Sequence, residues 1–502
     1  MLNSFKAKKQ WIFVLSVFLS ALGIRLIFLP YDLPLIIDGL DNFTYSSAIN
    51  YYGHLPTEWS PPNNGWPIFV SFWFSVINLE NTFQYMQLQK IVSIFLSSTI
   101  TVPVYFLCKK FFDEKLALMG SVLFAFEPRI ILNSTLGITE PLFILLGISS
   151  LVIFLKYDRK WIFLSLVLAS FCTIVRSEGI FLVATLTILF FIKYKFSKEI
   201  VTIYLPSIII FMLILIPIID YRIEVIGYDA IFQRVALGTG EILSSSNQSQ
   251  GSEIIDGLEL FIKYLGWIMI PIFLVFLPIG FIQYLKQRSK ETNFVIIFLI
   301  FSSLPILYAY ISQAQDTRYL YFLYPIFCLI SLFAIKFYLS KTSRQNILLG
   351  IIISGVIISS ITFYEFQKDD YENEIELNEI AEKIPKNIQG INFHPSITKY
   401  VRASELPNEW PFDFPDERYK IVSISTNDYN NLESFIIESR KNLTHIIVDE
   451  NEDLPGFLQD TYHNGENIEY LNKVFDSKKA GYKHHLKLFE INFKKFDSTK
   501  EE

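Results

Sequence analysis

The feature that most constrains this 502-residue chain is a succession of apolar segments that fills its first 365 residues. A helix of about 20 apolar residues crosses the hydrocarbon core of a bilayer, and a helix satisfies its own backbone polar groups there. We therefore predict a polytopic α-helical membrane protein with about eleven transmembrane helices. Their approximate ranges are 10–30, 88–108, 116–134, 141–156, 161–175, 177–193, 200–220, 262–284, 293–311, 319–338 and 345–364.

Composition supports this class. Hydrophobic residues make up 51% of the chain and charged residues 18%, whereas soluble domains carry about 25% charged residues. The net charge of −6 and the absence of a long basic block argue against nucleic-acid binding, which needs a clustered positive face. Cys108, Cys172 and Cys328 are far apart in apolar runs, so we expect buried thiols and no disulfide or zinc site.

Positive charges set the predicted orientation. Lysines and arginines concentrate in 109–115, 156–160, 193–198, 286–290 and 336–344. The alternate loops contain no lysine, and their arginines are Arg129, Arg176, Arg222, Arg234 and Arg318. Because positively charged loops stay on the cytoplasmic side, we place the N-terminus in the cytoplasm, as an uncleaved signal anchor. The apolar stretch 66–79 is too short to span comfortably, and we interpret it as a re-entrant or interfacial helix.

Residues 366–502 are polar and contain no spanning segment. An odd number of helices places them outside, as an extracytoplasmic soluble domain that follows a membrane domain of residues 1–365. We predict strands at 419–425, 444–450 and 484–491 and helices at 371–383 and 428–441, which indicate a small α/β or α+β domain. Such a domain could select the acceptor of a membrane enzyme, cover its site, or serve stability alone.

The first outer loop, residues 31–65, is rich in acidic residues. It contains Asp32, Asp38, Asp41 and Glu58 and no lysine or arginine. The segment after Asp41 predicts an amphipathic helix, and an acid near its first turn is favourable for the helix dipole. A purely structural interpretation therefore stays open, with Asp38 in the loop and Asp41 as an N-cap.

Three further groups of charged residues fall at the outer ends of predicted helices. They are Glu140 in ITEPLF, Arg176 and Glu178 in IVRSEGIF, and Asp316, Arg318 and Tyr319 in AQDTRYLYFLYP. Glu140 could be a helix cap, and Arg176 could simply pair with Glu178. Ionisable groups at membrane depth are costly and usually functional. With the first loop, these groups predict an active site facing outward.

At these positions the chain resembles the GT-C superfamily of polytopic glycosyltransferases. The resemblance covers residues 10–365 and is nearest to protein O-mannosyltransferases, aminoarabinose transferases and dolichyl-phosphate-mannose-dependent transferases. It rests on Asp41 followed by Tyr45, Ala48 and Gly53, on PPNNGWPIF, on TEPLF, on VRSEG with Ser177 in place of the usual proline, and on Arg318-Tyr319 with Pro325. No WWDYG-like sequence occurs, which weighs against an oligosaccharyltransferase.

The resemblance implies transfer of a monosaccharide, a hexose such as mannose or glucose, from a polyprenyl or dolichyl phosphate. The acceptor would be a hydroxyl of a glycan, lipid or protein on the outer face, and the anomeric configuration would invert. The first-loop acid of the family is a general base, which assigns that role to Asp41. Arg318 and then Arg176, with Tyr319, are the candidates for binding the donor phosphate, because guanidinium binds phosphate oxygens in a fork.

Other roles stay open. Asp38 could orient the acceptor, or it could join Asp41 and Glu140 around Mg²⁺ or Mn²⁺, which prefer oxygen ligands. A phosphate paired with arginines needs no metal, and Glu140 could instead position the sugar. The remaining candidate substrate contacts are Glu178, Tyr45 and His54, of which His54 could equally be an ordinary loop residue.

The alternative function is a polytopic transporter or flippase for lipid-linked sugars, and a membrane receptor is a further possibility. A transporter is expected to show inverted repeats and charges near the midplane. The chain shows no internal repeat, and its charges lie at the outer rim. An enzyme further predicts that Asp41, Glu140, Arg176 and Arg318 surround one outward cavity.

Overall fold

The computed structural model describes residues 2–156, 159–195, 198–229, 250–287, 289–385, 388–411, 421–450 and 454–501. Arg234 lies outside these ranges, as do residues 157–158, 196–197 and 288 of the basic loops. The chain divides into two compact units. The helical unit comprises Met1–Leu29, Asn42–Ile77 and Leu88–Glu365, and the sheet unit comprises Pro30–Asp41, Asn78–Gln87 and Phe366–Glu502.

Helices occupy the positions that the sequence predicts for spans, and two further helices lie at 37–52 and 65–76. In chain order they are α1 Leu2–Ile27, α2 Ile37–Tyr52, α3 Gly65–Val76, α4 Thr82–Thr99, α5 Thr101–Lys109, α6 Glu114–Ala125, α7 Pro128–Ser134, α8 Glu140–Leu155, α9 Arg159–Val175, α10 Gly179–Tyr194, α11 Leu205–Ile226, α12 Gln250–Met269, α13 Phe273–Lys286, α14 Lys290–Ile311, α15 Tyr324–Ser340 and α16 Gln345–Phe366. A π-helical turn, Ile200–Tyr204, precedes α11, and a 3₁₀ turn, Thr317–Leu323, precedes α15.

Six helices of the described chain are long and apolar enough to cross a membrane, or eight if each of two bent pairs is one span. The bent pairs are α6 with α7, at 56°, and α12 with α13, at 110°. The predicted spans 141–156, 161–175 and 177–193 correspond to the shorter apolar helices α8, α9 and α10. The sequence-based count of about eleven includes these three, which fall below the length that a straight span requires.

The start of α2 corrects one sequence-based interpretation. The helix begins at Ile37, which places Asp38 in its first turn and Asp41 in its second. The amide groups of Gly39 and Leu40 already bond to the carbonyl of Ile36, at 3.0 and 3.3 Å. Asp38 is therefore not a loop residue, and Asp41 is not an N-cap.

The sheet unit is an α/β domain, in agreement with the sequence. Its helices are α17 Lys368–Lys383, α18 Thr398–Ser404, α19 Leu432–Ser439, α20 Gly456–Asn464 and α21 Phe493–Glu501. Its strands are β1 Gly390–Asn392, β2 Val422–Ile424, β3 His445–Asp449, β4 Leu471–Asp476 and β5 Leu486–Ile491. They form one sheet in the order β2-β1-β3-β5-β4, in which β1 is parallel to β2 and β3, and β5 is antiparallel to β3 and β4.

Two apolar cores cover the two faces of this sheet. Ile447 and Leu488 belong to one core, and their strand neighbours Ile446 and Phe489 belong to the other. Alternate residues of a strand point to opposite faces, so β3 and β5 are buried on both sides. The fold class predicted from the sequence, a helical membrane protein with a small sheet domain, is confirmed.

Two short segments from the membrane half of the sequence belong to the sheet unit. Leu33 and Ile36 pack into one of its cores. The Oγ1 hydroxyl of Thr82 donates to the carbonyl of Pro407 at 2.5 Å, and the backbone amide of Thr82 donates to the carbonyl of Asn408 at 3.0 Å. The start of the acidic first loop is thus part of the folded domain.

Candidate functional site

The first-loop motif PPNNGWP packs on the turn that contains VRSEG. A Cβ added to Gly65 would lie 2.7 Å from the backbone nitrogen of Val175, so no side chain fits between the two segments. The side-chain oxygen of Asn63 also accepts a hydrogen bond from the backbone amide of Ser177 at 3.1 Å. Two motifs that are far apart in sequence therefore form one local structure.

The turn before the TEP motif is held by a residue of the first-loop motif, Trp66, and by Gln89 of α4. The carbonyl of Gly137 accepts hydrogen bonds from Nε1 of Trp66 at 2.9 Å and from Nε2 of Gln89 at 2.7 Å. Gly137 has a φ of 68°, which favours glycine. Helix α8 follows, with Glu140 and Pro141 in its first turn. These contacts fix the position of the turn before α8, and therefore the position of Glu140 at the start of that helix.

Arg176 lies between two carboxylates. Its Nη1 donates to Oε1 of Glu140 at 2.7 Å and to the hydroxyl of Thr139 at 3.2 Å, and its Nη2 donates to Oε1 of Glu178 at 2.9 Å. The Arg176 side chain is 16% exposed. One positive charge is thus shared by two negative charges, and the group as a whole is anionic.

Arg318 and Tyr319 lie next to this group. Nε of Arg318 bonds to Oδ2 of Asp316 at 2.5 Å, and its backbone amide donates to Oδ1 of the same residue at 2.8 Å. The Tyr319 ring centre lies 5.8 Å from the guanidinium carbon of Arg176, within the range of a cation–π contact. Asp316 therefore orients Arg318, and Tyr319 covers one face of Arg176.

These groups line one pocket of the helical unit. Glu140, Arg176, Glu178, Arg318 and Tyr319 share it with the apolar side chains Phe143, Ile144, Phe181, Leu182, Pro305, Ile306 and Phe322 and with Ser302. Its free volume is about 30 Å³, so a larger group enters only if lining side chains move. Three of the four residues expected around one cavity, namely Glu140, Arg176 and Arg318, are lining residues of this pocket.

The fourth, Asp41, belongs to the sheet unit. Its Oδ1 lies 3.5 Å from Nη2 of Arg402, and 48% of its side chain is exposed. Asp38 is also in this unit and is exposed. Sequence reasoning did not find Arg402, because the short helix α18 that carries it contains no motif and nothing in the sequence relates it to the first loop.

Tyr45 and His54 occupy different environments. Tyr45 is fully buried, its hydroxyl lies 2.7 Å from that of Tyr221, and it accepts a hydrogen bond from Nδ2 of Asn64 at 3.2 Å. The side-chain oxygen of Asn64 accepts a further bond from Nε of Arg222 at 2.7 Å. His54 is exposed, with Nδ1 2.8 Å from the carbonyl of Leu55. Tyr45 thus holds the first loop in place, and His54 lies at the surface.

A Mg²⁺ or Mn²⁺ site of Asp38, Asp41 and Glu140 is one of the roles that the sequence leaves open. Across the described ranges, no group of three or more His, Cys, Asp or Glu side chains is arranged to hold a metal ion. Glu140, one of the three predicted ligands with Asp38 and Asp41, directs Oε1 at the guanidinium of Arg176.

The chain has the fold of the GT-C membrane glycosyltransferases. It is similar to ArnT from Cupriavidus metallidurans bound to undecaprenyl phosphate, with a TM-score of 0.60, 9% identity, and coverage of 96% of this chain and 98% of that one. It is also similar to the oligosaccharyltransferase AglB from Archaeoglobus fulgidus in complex with an inhibitory peptide and a dolichol-phosphate, with a TM-score of 0.56, 12% identity, and coverage of 88% and 70%. No protein-family model and no curated protein matches the sequence.

Proposed function

We propose that this protein is a membrane glycosyltransferase that uses a polyprenyl-phosphate or dolichyl-phosphate monosaccharide as donor. The observation that supports it most is the pocket in which Glu140, Arg176, Glu178, Arg318 and Tyr319 meet apolar side chains. Such a pocket combines charged groups for a sugar phosphate with a wall suited to a lipid chain. ArnT bound to undecaprenyl phosphate and AglB in complex with dolichol-phosphate further support a lipid-linked donor.

We assign the donor phosphate to Arg318. A guanidinium oriented by a carboxylate on its Nε, as Asp316 orients Arg318, is suited to bind phosphate oxygens. Arg176 receives a positioning role instead, because both of its Nη groups already donate to carboxylates. It holds Glu140 and Glu178, whose second oxygens, Oε2, accept hydrogen bonds of 3.4 Å from the hydroxyls of Thr139 and Ser177. In the proposed complex, these two carboxylates accept hydrogen bonds from sugar hydroxyls.

We assign the general base to Asp41, by its position in the family signature. In the proposed reaction the Asp41 carboxylate takes the proton of the acceptor hydroxyl, and the acceptor oxygen forms a bond to the anomeric carbon. The bond from that carbon to the phosphate oxygen breaks, and polyprenyl phosphate leaves with its electron pair. Attack opposite the leaving group inverts the anomeric configuration. The half-exposed carboxylate of Asp41 is consistent with proton exchange with a bound hydroxyl.

The sugar, the acceptor and the membrane orientation are assigned from the sequence. We propose a hexose as the transferred sugar, and a glycan, lipid or protein as the acceptor. We propose an integral protein of the cell membrane or an endoplasmic-reticulum-like membrane, with a cytoplasmic N-terminus, reaction on the outer face and residues 366–502 extracytoplasmic. Tyr45 is left out of the substrate contacts because it is fully buried.

The experiment that tests the function is transfer of labelled sugar in membranes from a panel of polyprenyl-phosphate donors. We expect transfer by the wild type and a loss of about 100-fold or more for Asp41→Asn, since general base catalysis contributes about 10² to 10⁴-fold. Glu80→Gln is the matched control, because it removes a carboxylate charge from an exposed residue of the same unit.

Full transfer by Asp41→Asn at normal expression would remove the base assignment. If no donor supports transfer, but lipid-linked sugar changes leaflet in proteoliposomes that contain the protein, the transporter alternative replaces the enzyme. The two readouts separate the two functions because only transfer makes a new glycosidic bond.

A further inference from the structure

A second cavity lies entirely within the sheet unit. Its free volume is about 560 Å³, which falls in the range of about 300–1,000 Å³ that small-molecule sites occupy. The polar side chains that line it are Asp32, Thr82, Asn378, Glu382, Ser404 and Asn408. They come from the first outer loop, from the start of α4, from α17, from the end of α18 and from the segment that follows it.

The walls of this cavity are held together by specific contacts. Thr82 is bonded to the carbonyls of Pro407 and Asn408. The rings of Tyr85 and Trp410 stack with their centres 3.9 Å apart, and Nε2 of Gln87 donates to the carbonyl of Leu33 at 3.0 Å. The cavity is therefore a built feature of the folded unit.

The chemistry of the lining indicates a class of ligand. Two carboxylates, two amides and two hydroxyls provide both donors and acceptors, and within the described ranges no lysine or arginine lines the cavity. A phosphate or carboxylate ligand would meet no positive side chain among these described lining residues. Sugar hydroxyls, which both donate and accept, match such a set. Phe83 also lines the cavity and is 37% exposed, so its ring offers an apolar face to the C–H groups of a sugar.

The cavity and the proposed base belong to the same unit, and helix α18 contributes residues to the cavity wall and a contact to the base. Ala403 and Ser404 of its wall directly follow Arg402, whose guanidinium is 3.5 Å from the Asp41 carboxylate. Asp32 of its wall belongs to the same loop as Asp41. We propose that this cavity binds a neutral saccharide unit, and that this saccharide is part of the acceptor. Only the second half of this proposal rests on the proposed function.

Binding is tested on the full-length protein in lipid nanodiscs, without sugar-based detergent and without donor. The probes are the neutral trisaccharides mannotriose, maltotriose and chitotriose, and calorimetry measures their affinity. We expect at least one of them to bind and sialyllactose, which is acidic, to bind more weakly. Asp32→Asn and Glu382→Gln should each weaken binding about tenfold, the effect of losing one charged hydrogen bond.

Glu379→Gln is the matched control, because Glu379 is on the same helix as Glu382, is exposed and does not line the cavity. It should leave the affinity unchanged. Phe83→Ala is an independent variant, which should weaken binding without altering any charge.

The proposal is overturned if none of the three trisaccharides binds at millimolar concentration, or if the cavity variants and Glu379→Gln bind equally well. It is also overturned if a serine-rich peptide binds and the saccharides do not. Because the assay contains no donor, failure of the proposed transferase activity leaves its result intact. If transfer occurs, the cavity variants should raise the KM for acceptor and leave the KM for donor unchanged.

Discussion

Arg176 and Glu140 are joined by a hydrogen bond of 2.7 Å from Nη1 to Oε1. This bond connects the turn between α9 and α10 to the first turn of α8, and the second bond of Arg176, to Glu178, stays within its own turn. Sequence considerations allowed Arg176 either to bind phosphate or to pair with Glu178. The contact with both carboxylates favours a positioning role, and Arg318 is then the stronger candidate for the phosphate.

Replacing Arg176 should destabilise the helical unit. Arg176→Gln leaves Glu140 and Glu178 without their cation in a largely buried place, and breaking such a pair costs about 3 kcal/mol. We expect a clear fall in the melting temperature of the protein in nanodiscs. The double variant Arg176→Gln with Glu140→Gln should recover part of this loss, because it removes one of the two uncompensated charges. Arg344→Gln, at an exposed position, is the control and should melt like the wild type.

Replacing Arg318 should act on the donor. Arg318→Gln removes charged hydrogen bonds worth about 1.5–3 kcal/mol, and we expect the KM for the polyprenyl-phosphate donor to rise about 10- to 100-fold. The donor KM of Arg318→Lys should lie between those of the wild type and Arg318→Gln, since lysine keeps the charge but lacks the planar guanidinium. Wild-type donor kinetics in both variants would refute the phosphate role.

Gly65 should tolerate no side chain. A Cβ there would lie 2.7 Å from the backbone nitrogen of Val175, and relief requires a backbone shift. Gly65→Ala should lower stability by about 1–3 kcal/mol, as overpacking does, and should reduce transfer because the Arg176 turn moves. Gly350→Ala is the control, since a Cβ at Gly350 meets nothing within 4 Å. Equal melting temperatures for the two variants would contradict the close packing of Gly65 on the backbone of Val175.

The sheet unit should lose stability on mild acidification through His445. Burial lowers the pKa of His445 below its ordinary value of 6.5, although Glu490 acts in the opposite direction. The unfolded chain then binds the proton more readily, so the contribution of this group is complete above pH 6.5 and falls as the pH drops towards the folded pKa. The protection factors of the β3 amides in the full-length protein, which correct for the intrinsic exchange rate at each pH, should fall from pH 7 to pH 5.

His445→Asn is the variant that isolates this effect. It removes the titrating ring, so we expect the protection factors to fall less over the same pH range than in the wild type. An equal fall of the protection factors in both proteins would assign the acid sensitivity to other groups of the unit.

Much of the helical fold was predictable from the sequence. The ends of α8, α14 and α16 agree with the predicted spans to within about four residues, because an apolar run of this kind has few other stable conformations. The short strand β1 and the polar strand β4 were missed, since three residues or a mixed pattern such as LNKVFD carry little periodic signal. The early start of α2 was missed because Asp38 and Asp41 are common residues at helix starts and in loops.

The sequence by itself determined that this protein is a polytopic membrane protein, that its charged residues form a short set at helix ends, and that a separate polar domain follows. These properties depend on hydrophobicity and local charge, which can be evaluated from consecutive residues. Only the tertiary structure decided that Arg176 is shared by Glu140 and Glu178, that Asp41 faces Arg402, and that residues 30–41 and 78–87 fold with the sheet unit. Such contacts join residues far apart in sequence, and their energies arise only when packing brings the partners within a few ångströms.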